Sequence, residues 1–327
     1  MTDDWKNLAR GVLSGDVRSL ARMISRVENR NPGWKGAMKL LYPACGRARV
    51  VGITGSPGAG KSTLTNAVAL DLTGRGKTVG VIAVDPTSPF SGGALLGDRI
   101  RMVKIATEPG IFIRSMATRG ALGGLCQGAR DVARILDAFG KDVVLIETVG
   151  VGQDEVEVVK AADMVAVVCV PGQGDGVQAL KAGIMEIADV YVVNKADRPG
   201  VEEVEADIRG MLSLASRPGV PDPPVIQTSA LSGTGVSEFT DLVAGGCVSS
   251  RNRDTWMARR VREEVLSLLS SEILDALTSK WGNNGKLDRA VAGIMARTRD
   301  PYSVVDELLP EARKLFGNGR MEQEEEA

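Results

Sequence analysis

Residues 55 to 62 read Gly-Ser-Pro-Gly-Ala-Gly-Lys-Ser, a match to G-x-x-x-x-G-K-[ST]. In such a loop the glycines let backbone N–H groups turn inward around phosphates, a lysine meets the phosphate charge and a hydroxyl ligates Mg²⁺. The context fits, because the apolar run 49 to 54 precedes the loop and a helical run from Thr63 to Leu72 comes after it. A helix N-terminus adds its dipole to anion binding. Gly55, Pro57, Gly58, Ala59, Gly60, Lys61, Ser62 and Thr63 are therefore candidate nucleotide-binding residues, with Lys61 reaching the β and γ phosphates and Ser62 the metal.

A second signal, Asn194-Lys195-Ala196-Asp197, succeeds the apolar run Val190-Tyr191-Val192-Val193. A carboxylate at Asp197 can accept from both N1–H and the N2 amino group of guanine, a donor pair that adenine lacks. A site built on that pairing rejects the analogue strongly. Ser229, Ala230 and Leu231, at the end of the next strand-like run, are placed to close over the base. Asn194, Lys195 and Asp197 are thus read as guanine-site residues.

Three carboxylates complete the expected chemistry. Glu147 ends the run Val143-Val144-Leu145-Ile146 and Gly150 stands three residues later, a spacing that puts an acid near Mg²⁺ and a glycine amide near the γ phosphate. Asp85 ends Val81-Ile82-Ala83-Val84, and Asp98 lies in Leu95-Leu96-Gly97-Asp98; both are expected to hold metal or position water. Ligands of open α/β sheets collect at such carboxyl-terminal strand ends. Lys61, Asp85, Asp98 and Glu147 are the catalytic set, and Ser62, Asp85, Asp98 and Glu147 the metal set. The residue after Gly150 is Val151, and Gln153 lies two further on, so no glutamine stands where one orients water in Ras-like chains. Arg114 and Arg119 are candidates to approach the phosphates when a partner docks. There is no histidine anywhere, which excludes histidine bases, Ser-His-Asp triads and histidine metal sites.

These residues need a scaffold, and the pattern supplies one. Apolar, β-rich runs at 49–54, 78–84, 143–147, 163–170, 190–194 and 225–228 alternate with helix-length segments. That alternation predicts an α/β fold with a mostly parallel sheet covered on both faces. The gap from Asp85 to about Ala121 is too long for a passive connector and is read as a functional loop. Leu8, Val12, Leu13, Val17, Leu20, Met23, Ile24 and Val27 predict two amphipathic helices broken near Gly15, with Asn31-Pro32-Gly33 as the next break in the chain. Residues 254–280, 285–297 and 301–316 read as three more helices. The expected divisions are a helical extension at 1–45, a P-loop domain at 46–248, a helical arm at 249–320 and a disordered acidic tail at 321–327.

Composition narrows the class. Lys and Arg total 40 against 41 Asp and Glu, so no global field favours nucleic acid or an anionic membrane. The longest apolar run, near Met164 to Val170, is strand-sized and falls well short of the ~20 residues of a membrane span. Cys45, Cys126, Cys169 and Cys247 form no C-x-x-C pair, and no signal-peptide pattern opens the chain, so a reducing cytoplasm fits.

Taken together, GSPGAGKS, VDPTSPFSGGALLGDRIRM, IRSMATRGALGG, ETVGVGQDEVEV, PGQGDGVQALKAGIMEIAD and VNKAD resemble the MeaB/ArgK family of GTPases, which chaperone adenosylcobalamin-dependent acyl-CoA mutases, chiefly methylmalonyl-CoA mutase. The likeness is dense from residue 49 to about 245. It implies a SIMIBI-type P-loop fold, GTP/GDP and Mg²⁺ as ligands with no tightly bound B12 of the chain's own, a homodimer formed through the C-terminal arm, and GTP-gated admission of cofactor to the mutase. By the same resemblance, 85–119 holds a first switch, 147–155 a second and 171–183 a third, with Gln153, Asp175, Gln178 and Lys181 signalling to the partner. Gly176, where the family commonly has an acid, and Ser115-Met116-Ala117, in place of a Pro-rich segment, are departures that bear on this coupling. A kinase of transport proteins and a metal-insertion GTPase are the alternatives.

Overall fold

The computed structural model describes residues 2–85, 105, 107–117, 124–148, 161–172, 188–215, 221–245, 253–283 and 285–317. Two compact units emerge, residues 1–252 and 253–327.

The first unit is built on seven parallel strands: β1 (Arg49–Gly55), β2 (Val79–Asp85), β3 (Ile111–Ala117), β4 (Val143–Glu147), β5 (Met164–Cys169), β6 (Val190–Asn194) and β7 (Val225–Thr228). Their order across the sheet is β3-β2-β4-β1-β5-β6-β7, with every neighbouring pair parallel. The strands are nearly all apolar because both faces are covered. Val51, Ile53, Val81, Leu145, Val168 and Val192 project to one face, against α4 (Lys61–Gly74) and α7 (Val236–Ala244). Val50, Ile82, Val144 and Ile146 project to the other, against α5 (Gly124–Phe139) and the N-terminal helices. On that same face, Val165, Val167, Tyr191 and Val193 lie under α6 (Val201–Ala215). The fold is that of a P-loop NTPase.

The N-terminal segment forms α1 (Asp3–Leu13) and α2 (Val17–Glu28), turning at Gly15 with φ 82°. Asp16 caps α2 by accepting from Arg18 N at 3.3 Å and Ser19 N at 2.9 Å. A third helix, α3 (Trp34–Leu41), was not among the elements expected. Trp34, Ala37, Met38 and Leu41 stand at helical spacing and meet the core, but over two turns only, directly after the Asn31-Pro32-Gly33 break. Leu20, Met23, Ile24 and Leu41 are fully buried and share a core with Ile135 and Leu136 of α5, so these helices are a packed layer on the sheet.

The long gap after Asp85 is not a loop throughout. It contains an edge strand, β3, paired with β2 from Val79↔Ile111 to Asp85↔Ala117. Arg114 and Ser115 interrupt its apolar pattern, and only an edge position beside β2 makes the segment a strand.

The second unit comprises α8 (Arg253–Asn283), α9 (Lys286–Met295) and α10 (Pro301–Gly317), close to the three helices expected. Its small core is Leu277, Trp281, Ala290, Val304 and Leu308. Residues 318–327, which include the acidic tail, lie outside the described residues.

Ile24 tests the N-terminal layer. Ile24→Ala removes buried methyl groups from a site that can collapse only partly, and is expected to lower unfolding free energy by about 2–5 kcal/mol in urea titrations, with the m-value unchanged.

Candidate functional site

The carboxyl ends of β1, β4, β6 and β7 converge on the turn between β1 and α4. Gly55 closes β1 at φ 144°, and a Cβ there would lie 2.1 Å from Val168 O. Gly60, the residue just before α4, has φ 85°, and a Cβ there would meet Asn194 Nδ2 at 2.6 Å. Both positions therefore admit only glycine. Lys61, buried on α4, folds its ammonium back to donate to Gly55 O at 2.8 Å and Ser56 O at 3.0 Å. Pro57, Gly58 and Thr63 are exposed along the rim, while Ala59 is buried beneath it.

On the metal side, Ser62 Oγ donates to Glu147 Oε1. Strand alternation explains the meeting: Val143, Leu145 and Glu147 share the face covered by α4, whose first turn carries Ser62. Glu147 is 6% exposed, a carboxylate buried at the tip of an apolar strand. Asp85 closes β2, the strand next to β4, with Ala83 opposite Glu147 in the register. The side chain of Asp85 and all of Asp98, Gly150, Gln153, Asp175, Gln178 and Lys181 lie outside the described residues.

On the base side, the Asn194 amide works as a brace. Its Nδ2 donates to Ala59 O at 2.8 Å, and its Oδ1 accepts from Thr228 Oγ1 and Ala230 N, each at 3.2 Å. One buried amide thus joins the phosphate loop, β6 and β7. Lys195, at φ 62°, lies across the loop and donates to Gly58 O at 2.7 Å. Asp197 is exposed, and its Oδ1 accepts from the Ser229 hydroxyl at 2.6 Å. That bond, with smaller help from its own backbone and neighbouring cations, holds the Asp197 carboxyl below its ordinary value. Leu231, 87% exposed, stands beside this edge of the site.

Arg114 does not face the site. It lies on the sheet face of Phe112 and Met116, opposite α4, where it pairs with Glu28 at the end of α2. The ion pair accounts for this arginine without a phosphate. Arg119 lies outside the described residues. The Asn194 brace and the Lys61 contacts could not be read from the sequence, because their partners are loop carbonyls and groups at the end of β7 whose directions a motif does not specify.

Residues 20–285 match the family described as "Methylmalonyl Co-A mutase-associated GTPase MeaB". The chain belongs to the MeaB family. This MeaB-family protein is 44% identical over 321 residues to a putative GTPase of Pyrococcus abyssi, covering 95% of this chain and 96% of the relative. It is 33% identical to the mitochondrial methylmalonic aciduria type A homolog of Caenorhabditis elegans, over 90% of this chain and 81% of the relative. A crystal structure described as LAO/AO transport system kinase superposes with a TM-score of 0.67 at 26% identity, covering 96% of this chain and 99% of the other. The MeaB-family chain is a P-loop GTPase: it binds GTP and GDP and hydrolyses GTP.

Asp197 and Ser229 give a pH test. As a guanine acceptor Asp197 would work only when ionised, and its pKa lies below the ordinary 3.8. Nucleotide affinity is therefore expected to be fully present above that value and lost as pH falls through the lowered pKa. Ser229→Ala is expected to move this acid limb upward in titrations of GDP affinity against pH, with little change at neutral pH.

Proposed function

We propose that this GTPase is a nucleotide-dependent chaperone that gates adenosylcobalamin loading of an acyl-CoA mutase, methylmalonyl-CoA mutase first, and protects or reactivates it. The observation that carries the reading is the family match across residues 20–285. The name of the Caenorhabditis elegans relative points the same way. In this reading Gln153, Asp175, Gln178 and Lys181 signal nucleotide state to the mutase.

The site supports the GTPase half directly. Lys61 and backbone N–H groups of the loop would stabilise charge on the β and γ oxygens as water attacks the γ phosphorus and the bond to the β-bridging oxygen breaks. Asp197 fixes the guanine. Ser62 and Glu147 fit a hard cation, because a hydroxyl and a buried carboxylate oxygen already meet at the loop. They would hold Mg²⁺ together with Asp85 and Asp98, and the ion would supply charge neutralisation at the phosphates. With Val151 directly after Gly150 and no histidine in the sequence, turnover is slow alone and stimulated by a partner in this reading.

The second unit supports a homodimer. Val261, Val265 and Leu269 recur at helical spacing along α8, each about half exposed, and Tyr302, Val305 and Leu309 form a second stripe on α10. Exposed stripes of this kind mark contact surfaces.

The decisive measurement is GTP and ATP hydrolysis by purified protein, alone and with methylmalonyl-CoA mutase. Slow GTP turnover, none with ATP, and acceleration of about tenfold or more with the mutase are expected. A GTP rate indifferent to every adenosylcobalamin mutase tried would remove the chaperone reading. Asp197→Asn is expected to weaken GTP binding by about a hundredfold or more, since the paired acceptor is lost, and to favour a xanthine nucleotide, whose C2 carbonyl accepts from the new amide.

A further inference from the structure

Thr148 is the first residue past β4 and is 3% exposed. Its N–H donates to Ile53 O at 3.1 Å, and its hydroxyl donates to Thr54 Oγ1 at 3.0 Å. Thr54, on β1, is fully buried. The surrounding face is apolar, made by Val50, Val144 and Ile146. Two valines would fill the same space, and burying hydroxyls there is favourable only when they are bonded. The polarity of the pair therefore calls for a reason beyond packing.

Alternation supplies one. Successive residues project to opposite faces of a strand, so Thr148 points to the back of the sheet and Glu147 to the front, where it meets Ser62. The last register pair of β1 and β4 is Ile53 with Glu147. The two bonds of Thr148 carry that seam one residue further, at the point where the chain leaves the sheet. We infer that the Thr54–Thr148 hydroxyl pair is a positioning latch: by pinning Thr148 to the back face, it holds the Glu147 carboxylate against Ser62 in the orientation that Mg²⁺ binding needs. Neither threonine touches nucleotide or ion in this scheme. The inference rests on the Mg²⁺ role proposed for Ser62 and Glu147. Without the latch the strand tip can twist, and a slip of one residue would carry the carboxylate to the wrong face.

The test uses full-length Thr148→Val, Thr148→Ser and the double variant Thr54→Val with Thr148→Val, beside Glu147→Gln. Three quantities are read: the Mg²⁺ concentration for half-maximal GTP hydrolysis, the release rate of a fluorescent GDP analogue in Mg²⁺ and in chelator, and the thermal midpoint. Thr148→Val is expected to raise the Mg²⁺ requirement about tenfold, the effect of losing a group that orients a metal ligand. Release should quicken by a similar factor in Mg²⁺ and stay unchanged in chelator. Thr148→Ser should behave as wild type, and the double variant should recover the thermal midpoint without recovering the Mg²⁺ response. A wild-type Mg²⁺ requirement in Thr148→Val, or faster release in chelator as well, overturns the latch. Should Thr148→Val not fold, Thr54→Val and the double variant are read by the same criteria. If Glu147→Gln leaves the Mg²⁺ requirement unchanged, the metal assignment itself fails. If Glu147→Gln shifts it and Thr148→Val does not, only the latch fails.

Discussion

The turn from β1 into α4 has room for a hydrogen and nothing larger at Gly55 and Gly60. Everything at the site hangs on that close approach. Because Gly55 lets the chain pass within contact of Val168 O on β5, the loop closes tightly enough for Lys61 to reach back to the carbonyls of residues 55 and 56. Because Gly60 leaves space for the Asn194 amide, the same loop is fastened to β6 and, through Thr228 and Ala230, to the strand beyond. The phosphate loop and the proposed base edge are thus joined through one buried amide by hydrogen bonds of 2.8 and 3.2 Å.

The sheet divides labour between its faces. The front face meets α4 and presents Glu147 to Ser62, while the back face carries the N-terminal layer and α5. That layer is tied down by ion pairs as well as by packing: Arg30 with Asp131 of α5 at 2.6 Å, and Arg114 of β3 with Glu28 of α2. Both pairs are partly buried, so their value lies more in fixing orientation than in net stability. Through them the N-terminal helices grip β3 and α5, the elements on either side of residues 118–123.

Kinship with a structure described as a transport system kinase does not change the chemistry on view. A phosphate loop with Lys61 and Ser62 serves phosphoryl transfer to water or to another acceptor equally well. The readings separate at the base edge, where the Asp197 carboxylate, bonded to the Ser229 hydroxyl, would present an acceptor that suits guanine and leaves adenine unmatched.

Local sequence determined the parts whose signal is short-ranged. The glycine spacing of 55–62 and the apolar strand runs ending at Glu147 and Asn194 each sit within a few residues, so the P-loop class and its parallel sheet were legible. Tertiary structure alone decided the rest. The strand character of 111–117 comes from pairing with β2, the seating of the helix at 34–41 from the core that buries Ala37 and Leu41, and the pairing of Arg114 from Glu28, 86 residues away. Glu147 and Ser62 meet across 85 residues, Asn194 and Ala59 across 135. A spacing rule carries no information about which face a distant side chain shares. The pleat of the sheet and the packing of helices upon it do.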